Sequence, residues 1–174
     1  MSADGIDRAR LAGLIDAERE RFRESHPGSR ELFERAERNL LGGVPMSWMA
    51  RWPGGHPVFA AEARGAEIVD VDGNRYADLC LGDTGAMAGH GPGSPAEAVA
   101  ARYSTGATTM LPTEDAIYAA AELERRFGLP LWQLTLSATD ANRFAIRMAR
   151  QVTGRRRILV FSYCYHGTVD ETFI

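Results

Sequence analysis

The sequence predicts an α/β protein, because segments typical of strands and helices alternate along its second half. Residues 131–136, 139–152 and 157–162 have the patterns of a strand, a helix and a strand, as expected of a parallel sheet covered by helices. Residues 57–81 instead predict a small antiparallel sheet, because Asp72-Gly73 separates two short apolar runs as in a tight hairpin. With 174 residues and 45% hydrophobic content, the chain has the composition of a soluble globular protein.

The charge of the chain argues against a nucleic-acid partner. Its formal net charge is -3, and its arginines are mixed with acidic residues along most of the sequence. Only Cys80 and Cys164 are present, without a C-x-x-C pair, and no N-terminal segment has the pattern of a secretory signal. We therefore expect a reduced, cytoplasmic protein that has no membrane span and binds no nucleic acid.

The N-terminal region predicts two helices. Residues 4–24 combine many charges with apolar residues at helical spacing and end before the breaker "HPGS", so we expect residues 1–28 to form a helical arm that packs on another surface. A second helix should follow, with Ser29 as its N-cap and Gly42-Gly43 as its stop. Its apolar positions are Leu32, Phe33, Ala36 and Leu40.

Residues 29–95 predict an N-terminal small-domain segment. After the second helix, the stretch "GGVPMSWMARWPGGHP" has no periodicity and carries two of the three tryptophans, so it should be a loop that lies against a surface. The β-hairpin follows, and then the glycine-rich loop "GDTGAMAGHGPGSP".

Residues 96–174 predict the start of a larger α/β domain. Helical patterns at 96–102 and 113–127 precede the strand, helix and strand that open a βαβ series. Two parallel strands that are buried on both faces do not form a stable sheet by themselves, and the chain stops where a third unit should begin. We therefore expect this domain to be truncated.

The junction between the first of these strands and its helix has the residues of an anion site. Thr139 is a natural N-cap, and Gly154 should end the helix. Free backbone N–H groups and the positive end of the helix dipole favour a phosphate there, and the hydroxyls of Ser137 and Thr139 add donors. An ordinary helix cap has the same residue pattern, so the pattern alone leaves both interpretations open.

The second strand leads to the same edge of the predicted sheet, because parallel strands share a direction. Four residues follow it there: Tyr163, Cys164, Tyr165 and His166. A phosphate site beside aromatic rings suits a flat, phosphorylated cofactor. His166 has no second histidine at metal-ligand spacing and no acid orients a Cys164–His166 pair, so we expect neither a metal site nor a nucleophilic pair.

Seven short motifs then support a family resemblance. They are "GGV", "DVDGNRYAD", "GH", "PTE", "SATDANRFAIRMAR", "TGR" and "CYHG", in this order and with sensible gaps. In these motifs the chain resembles the class III pyridoxal-phosphate-dependent aminotransferases, most closely the glutamate-1-semialdehyde 2,1-aminomutase-like branch, over about residues 29–173. The resemblance implies fold type I of the pyridoxal-phosphate enzymes: a homodimer with a large, mainly parallel-sheet domain and a small domain built from both chain ends.

The resemblance also implies which residues hold pyridoxal 5'-phosphate. The tyrosine of the family's "CYHG" motif stacks on the cofactor ring, so Tyr165 should stack and His166 should be its neighbour in the pocket. The family's phosphate loop, Ser-Gly-Thr-Glu-Ala, begins at Ser137, Ala138 and Thr139 here. Ala138 replaces the family's glycine, and its Cβ should leave less room for the phosphate and disfavour a positive φ.

The chain lacks one residue that the family needs for catalysis. All twenty Lys+Arg residues are arginine, so no lysine can form the family's Schiff base with the cofactor, and the aspartate that pairs with the pyridinium nitrogen would also lie downstream. We therefore expect no catalytic residue within these residues. Two hypotheses follow: the sequence is the N-terminal portion of a longer enzyme, or it is an inactive fragment or interaction module.

Substrate recognition is predicted for two loops. Asp83 and Thr84 stand where the mutase-type loop has a serine and a tryptophan, which makes the semialdehyde substrate uncertain. Arg51, two residues after the position of a family arginine, is a candidate for binding a substrate carboxylate, although a solvated loop arginine explains it equally well. We expect a small amino acid or amino-aldehyde as substrate, and the sequence does not separate transamination from intramolecular amino transfer.

Overall fold

The computed structural model describes residues 7–172. The chain divides into two compact units, Met1–Ala107 and Thr108–Ile174. The first unit contains helices α1 (Arg8–Ser25), α2 (Pro27–Ala36) and α3 (Gly93–Ser104), strands β1 (Ala60–Arg64), β2 (Glu67–Asp70) and β3 (Arg75–Ala77), and short 3₁₀ turns at Leu41–Gly43, Ser47–Ala50 and Leu81–Thr84. The second unit contains helices α4 (Glu114–Phe127) and α5 (Ala138–Thr153).

Helix α1 confirms the predicted N-terminal helix within the described residues. Asp7 caps it, because its Oδ1 accepts a 3.0 Å hydrogen bond from the amide of Arg10. Ion pairs between residues three apart, such as Arg21–Glu18 at 2.7 Å, support its exposed face. The apolar residues Leu14 and Ile15 stay exposed, so this helix presents an uncovered apolar strip.

Helix α2 begins and ends earlier than predicted. Pro27 is its first residue, a position where proline costs no hydrogen bond, so His26 rather than Ser29 stands at the N-cap. Ser29 is instead fully buried inside the helix, where its hydroxyl accepts a 3.1 Å hydrogen bond from the amide of Phe59. The helix ends at Ala36, well before Gly42, and turns follow it.

The three strands form the predicted antiparallel sheet in the order β1-β2-β3. Strand β2 pairs with β1 through Ala63 and Ile68 and with β3 through Ile68 and Tyr76. The turn between β2 and β3 uses Asp72-Gly73 as expected, and Gly73 adopts a φ of +85°, which favours glycine. The predicted hairpin is therefore confirmed.

A buried carboxylate organises this hairpin. Asp70 is 1% exposed and accepts hydrogen bonds from the amides of Asp72 and Asn74, from Asn74 Nδ2 and from the Tyr76 hydroxyl, at 2.7–2.9 Å. Burial raises the pKa of Asp70, but these hydrogen bonds outweigh burial and lower the pKa below its usual 3.8. Partial desolvation of Tyr76, followed by its bond to Asp70, raises the pKa of Tyr76 to about 12.

A second carboxylate of the hairpin holds the start of α2. The oxygens of Asp72 accept hydrogen bonds from the amides of Gly28 at 2.5 Å and Ser29 at 2.9 Å. These amides belong to the first turn of the helix, where backbone donors lack partners within the helix. Asp72 thereby connects the hairpin to α2, and a Cβ at Gly28 would lie 2.8 Å from Asp72 Oδ1, which explains the glycine.

The second unit confirms the predicted helices and corrects the predicted strands. Residues 131–136 and 157–162 do not form strands in the described chain, and no backbone hydrogen bond joins one segment to the other. Parallel strands are stable when several pair and both faces are covered, and neither condition is met here. Leu136 and Leu159 are accordingly exposed.

Within the described residues, no helix has the length and apolar character needed to cross a membrane.

Candidate functional site

The start of α5 is the first part of the candidate site, and its cap corrects the sequence prediction. Ser137, not Thr139, is the N-cap: its backbone is extended, its Oγ accepts a 3.1 Å hydrogen bond from the amide of Asp140, and its hydroxyl lies 3.0 Å from Asp140 Oδ2. The Asp140 carboxylate accepts from the Ser137 hydroxyl, and with Ser137 as the N-cap Thr139 occupies the second helical position. Gly154 ends the helix in the left-handed conformation, as predicted.

Two backbone donors at this helix start are free. Among the described residues, the amides of Ala138 and Thr139 have no hydrogen-bond acceptor. Both amides belong to the first turn of a 16-residue helix. The positive end of the helix dipole adds to them, so the start of α5 can bind an anion. Ala138 is not among the residues with positive φ, so its replacement of the family's glycine causes no backbone strain.

The segment after residue 162 is the second part of the site. Tyr163 adopts a φ of +65° and projects entirely into solvent, whereas Tyr165 is 77% exposed. Neither tyrosine contacts another aromatic ring in the described chain. The exposed ring of Tyr165 can therefore receive a planar ligand. Cys164 between them is exposed and unpaired with any other cysteine.

The structure brings these two parts together. Gly167 is buried with a φ of +122°, and a Cβ there would lie 2.8 Å from both Oγ1 and Cγ2 of Thr139. The side-chain amide of Asn142 donates a 3.0 Å hydrogen bond to the carbonyl of His166. Arg143 Nε lies 3.4 Å from an oxygen of Glu171. The segment that contains Tyr165 is thus packed against the first turns of α5.

The imidazole of His166 lines a cavity within the second unit. The ring shares this cavity of about 290 Å³ with Ile146, Ile158, Val160 and Thr172. Its Nε2 is buried and has no hydrogen-bond partner among the described residues. A role for His166 beside the cofactor stays a prediction, and the structure shows that its backbone carbonyl is the group bound to α5.

The predicted substrate loop lies in the first unit and is held at both ends. Asp83 has a φ of +59° and follows two other residues with positive φ, Leu81 and Gly82, while Thr84 is exposed. At the base of the loop, His90 Nε2 donates a 2.6 Å hydrogen bond to Asp78, which also accepts the amide of Leu81 at 3.0 Å. The bond from His90, followed by that amide, lowers the pKa of Asp78.

Arg51 also belongs to the first unit. It is exposed, lines a cavity of about 390 Å³ with mostly apolar neighbours such as Trp48 and Phe59, and makes no ion pair with any described residue. No hydrogen bond or ion pair joins it to Asp83 or Thr84 in the part of the chain that is described.

Sequence reasoning missed three contributors to these sites. Asn142 stood inside a motif but had no expected partner, because its bond reaches across 24 residues of sequence. Asp78 and His90 each stood inside a motif, 12 positions apart. An aspartate and a histidine can form a hydrogen bond, and this complementarity was the signal that could have linked them. No group of three or more His, Cys, Asp or Glu side chains within the described range could hold a metal ion.

Comparison with known proteins identifies the family. The family model for class III aminotransferases matches residues 48–173. The glutamate-1-semialdehyde 2,1-aminomutase 1 of Cenarchaeum symbiosum (strain A) is 38% identical over 148 residues, which are 84% of this chain and 35% of that protein. This chain therefore spans about a third of the length of the curated relatives that it matches.

Solved structures agree in fold. The crystal structure of a glutamate-1-semialdehyde aminomutase from Pseudomonas aeruginosa PAO1 is similar with a TM-score of 0.89 and 49% identity, covering 97% of this chain and 37% of that one. A lysine-to-alanine variant of that enzyme, solved in complex with PMP, matches equally well. A β-phenylalanine aminotransferase from Variovorax paradoxus has a TM-score of 0.84 and 31% identity, covering 91% of this chain and 37% of its own.

These similarities confirm the predicted fold class, the N-terminal portion of a fold type I pyridoxal-phosphate-dependent transferase. The matched region includes both parts of the candidate site, the start of α5 and the segment around Tyr165. The chain belongs to the class III aminotransferase family.

Proposed function

We propose that the protein of which these residues form part transfers amino groups with pyridoxal 5'-phosphate, as an aminotransferase or a glutamate-1-semialdehyde-type aminomutase. One observation carries the proposal: Thr139, at the start of α5, packs directly against Gly167, two residues after Tyr165. A helix start with free amides and an exposed aromatic ring thus belong to one packed region, which suits a phosphorylated planar ligand.

Different residues of this region would bind the phosphate and the ring of the cofactor. The amides of Ala138 and Thr139 and the dipole of α5 would hold the phosphate, and the Thr139 hydroxyl would add a donor. The Ser137 hydroxyl would have to turn away from Asp140 before it could donate to the phosphate. Tyr165 would stack on the ring, since its face is open to a ligand.

When bound, pyridoxal phosphate supplies the carbonyl that accepts the amino group and the ring that delocalises electrons. Residues 137–139 and Tyr165 would bind and orient that group, and Asp83, Thr84 and Arg51 would face the substrate. The guanidinium of Arg51, which pairs with no acid among residues 7–172, supports a carboxylate-bearing substrate, either an amino acid or an amino-aldehyde. The divisions after residues 28 and 95, the homodimer and the cytoplasmic setting stay predictions.

A second candidate function rests on the missing lysine. The 174 residues contain none, so by themselves they cannot form the covalent link to the cofactor that the family uses. The apolar side of α5 is also open, with Phe144, Met148 and Val152 each at least 50% exposed. A chain of this length would then be an inactive fragment or an interaction module that is covered by a partner.

The intact mass of the protein from its source separates these functions. The protein would be incubated with pyridoxal phosphate, reduced with borohydride, weighed and digested to locate the adduct. A reduced adduct on a lysine, in a chain heavier than 19.0 kDa, is the expected result. An adduct confined to the α-amino group of Met1, or no adduct, in a 19.0 kDa chain would contradict the enzyme and favour the fragment. Peptide mapping is essential because the N-terminal amine also reacts with aldehydes.

A further inference from the structure

We propose that Asn142 is a positioning residue that sets the distance between the phosphate-binding start of α5 and the ring of Tyr165, a role that rests on the proposed function. Its Nδ2 donates a 3.0 Å hydrogen bond to the backbone carbonyl of His166. That carbonyl belongs to the residue after Tyr165, so the bond restrains the main chain next to the stacking ring. The donor lies just past the helical turn that carries the free amides of Ala138 and Thr139.

Few other contacts can set this distance. In the described part of the second unit, the Asn142 bond is the one side-chain hydrogen bond that joins α5 to residues 163–172. Arg150 Nε donates to the carbonyl of Arg156 at 2.9 Å, but that bond holds the beginning of the returning segment, near the other end of the helix. The Arg143–Glu171 pair lies beyond the tyrosine and has an exposed arginine.

Gly167 explains why a hydrogen bond at this place can work. Because Gly167 has no side chain, the backbone after His166 approaches Thr139 so closely that any Cβ would overlap its hydroxyl and methyl groups. The glycine allows the contact, and the Asn142 amide gives it a direction, since a hydrogen bond weakens steeply with misalignment. Together they restrain the main chain that follows Tyr165 against the first turns of α5.

The amide of Asn142 is neutral, which makes its role separable from phosphate binding. Replacing it by leucine keeps the size of the side chain and the charge of the region, and it leaves the amides of Ala138 and Thr139 in place. A ligand that needs both phosphate and ring contacts should therefore lose affinity, whereas inorganic phosphate should not. Pyridoxamine 5'-phosphate is the suitable probe, because it has no aldehyde and binds without a lysine.

The test compares Asn142→Leu with Gln151→Leu in the protein as its source makes it. Gln151 is an exposed amide on the same helix and has no side-chain hydrogen bond with any described residue, so it controls for changes in helix stability. We expect Asn142→Leu to bind pyridoxamine phosphate about five- to tenfold more weakly, as the loss of one aligned hydrogen bond predicts. Inorganic phosphate affinity should stay at the wild-type value, and Gln151→Leu should match wild type for both ligands.

A readout without ligand completes the test. Amide hydrogen exchange in the peptide that covers residues 163–168 should be faster in Asn142→Leu than in wild type and in Gln151→Leu. Wild-type affinity for pyridoxamine phosphate in the variant would overturn the positioning role. Equal weakening of both ligands would also overturn it, because it would indicate damage to the helix start. Failure of the wild type to bind pyridoxamine phosphate more tightly than inorganic phosphate would instead overturn the proposed function, and with it the ligand named here.

Discussion

Two regions of the molecule differ in how completely their side chains are paired or covered: the hairpin of β2 and β3, and the region around α5. In the hairpin, every polar atom of Asp70 and Asp72 that leaves water finds a donor within the first unit. Around α5, apolar side chains stay in solvent, and the flanking segments have no strand partners among the described residues. Both regions carry family motifs, so a motif does not by itself guarantee a locally complete structure.

Sequence distance explains this difference. The partners of Asp70 lie two to six residues away, so closing the hairpin costs little chain entropy. A parallel sheet needs strands from distant parts of a chain and a cover on both faces. The hairpin network around Asp70 therefore forms from nearby residues, whereas the segments beside α5 have no strand partner in the part of the chain that the structure describes.

The largest expected effect comes from removing the carboxylate at the centre of the hairpin. Asp70→Ala should lower the free energy of unfolding of the first unit by about 3 kcal/mol or more, because several donors would be buried without an acceptor. Urea unfolding followed by far-ultraviolet circular dichroism measures it, with the exposed Asp16→Ala as control. An effect as small as that of the control would break the comparison, because it would show that the network does not hold the hairpin.

A smaller effect is expected at the ring of Tyr165. Tyr165→Ala should weaken binding of pyridoxamine phosphate about tenfold, the cost of one lost stacking contact of roughly 1–1.5 kcal/mol. Tyr163→Ala is the matched control, since that ring projects into solvent and contacts no other ring in the described chain. Fluorescence titration measures both affinities. Equal losses in the two variants would remove Tyr165 from the site.

The pH dependence of stability sharpens the contrast between the two regions. Burial, full at Asp70 and partial at Asp72, raises the pKa of each carboxyl, but hydrogen bonds outweigh it and lower both pKa values below 3.8 in the folded state. The unfolded state therefore binds more protons at low pH, so the stability from these carboxylates is present above about pH 4 and is lost as the pH falls through their folded pKa values. Between about pH 2 and 6, the range in which carboxylates usually titrate, the free energy of unfolding should fall less steeply with decreasing pH in Asp72→Asn than in wild type. Identical slopes would mean that Asp72 does not contribute.

The smallest effect is expected where the chain departs from its family. Ala138→Gly restores the family's glycine, yet the backbone of Ala138 does not have the positive φ that would require it. Affinity for pyridoxamine phosphate should therefore change by less than about threefold, while the start of α5 loses up to about 1 kcal/mol of helix propensity. Isothermal titration and thermal unfolding measure the two quantities. A large gain in affinity would show that the Cβ of Ala138 obstructs the phosphate.

Much of the local structure followed from the sequence by itself. Helical periodicity gave the existence of α1, α2, α4 and α5, and Asp72-Gly73 gave the hairpin, because these features depend on neighbours a few residues away. Seven short motifs in order, from "GGV" to "CYHG", also indicated the family. The caps were less predictable: His26 rather than Ser29 precedes α2, because Pro27 suits the first helical position, and Ser137 rather than Thr139 caps α5, although both residue types cap well in isolation.

Only the tertiary structure decided which distant residues meet. It paired Asp72 with the start of α2, Asp78 with His90, and Asn142 with the carbonyl of His166. It also turned the predicted strands beside α5 into unpaired segments, because a strand is defined by its neighbour as well as by its own residues. Local propensity and spacing act through the nearest few residues, whereas hydrogen bonds across 12 to 44 positions depend on how the whole unit packs.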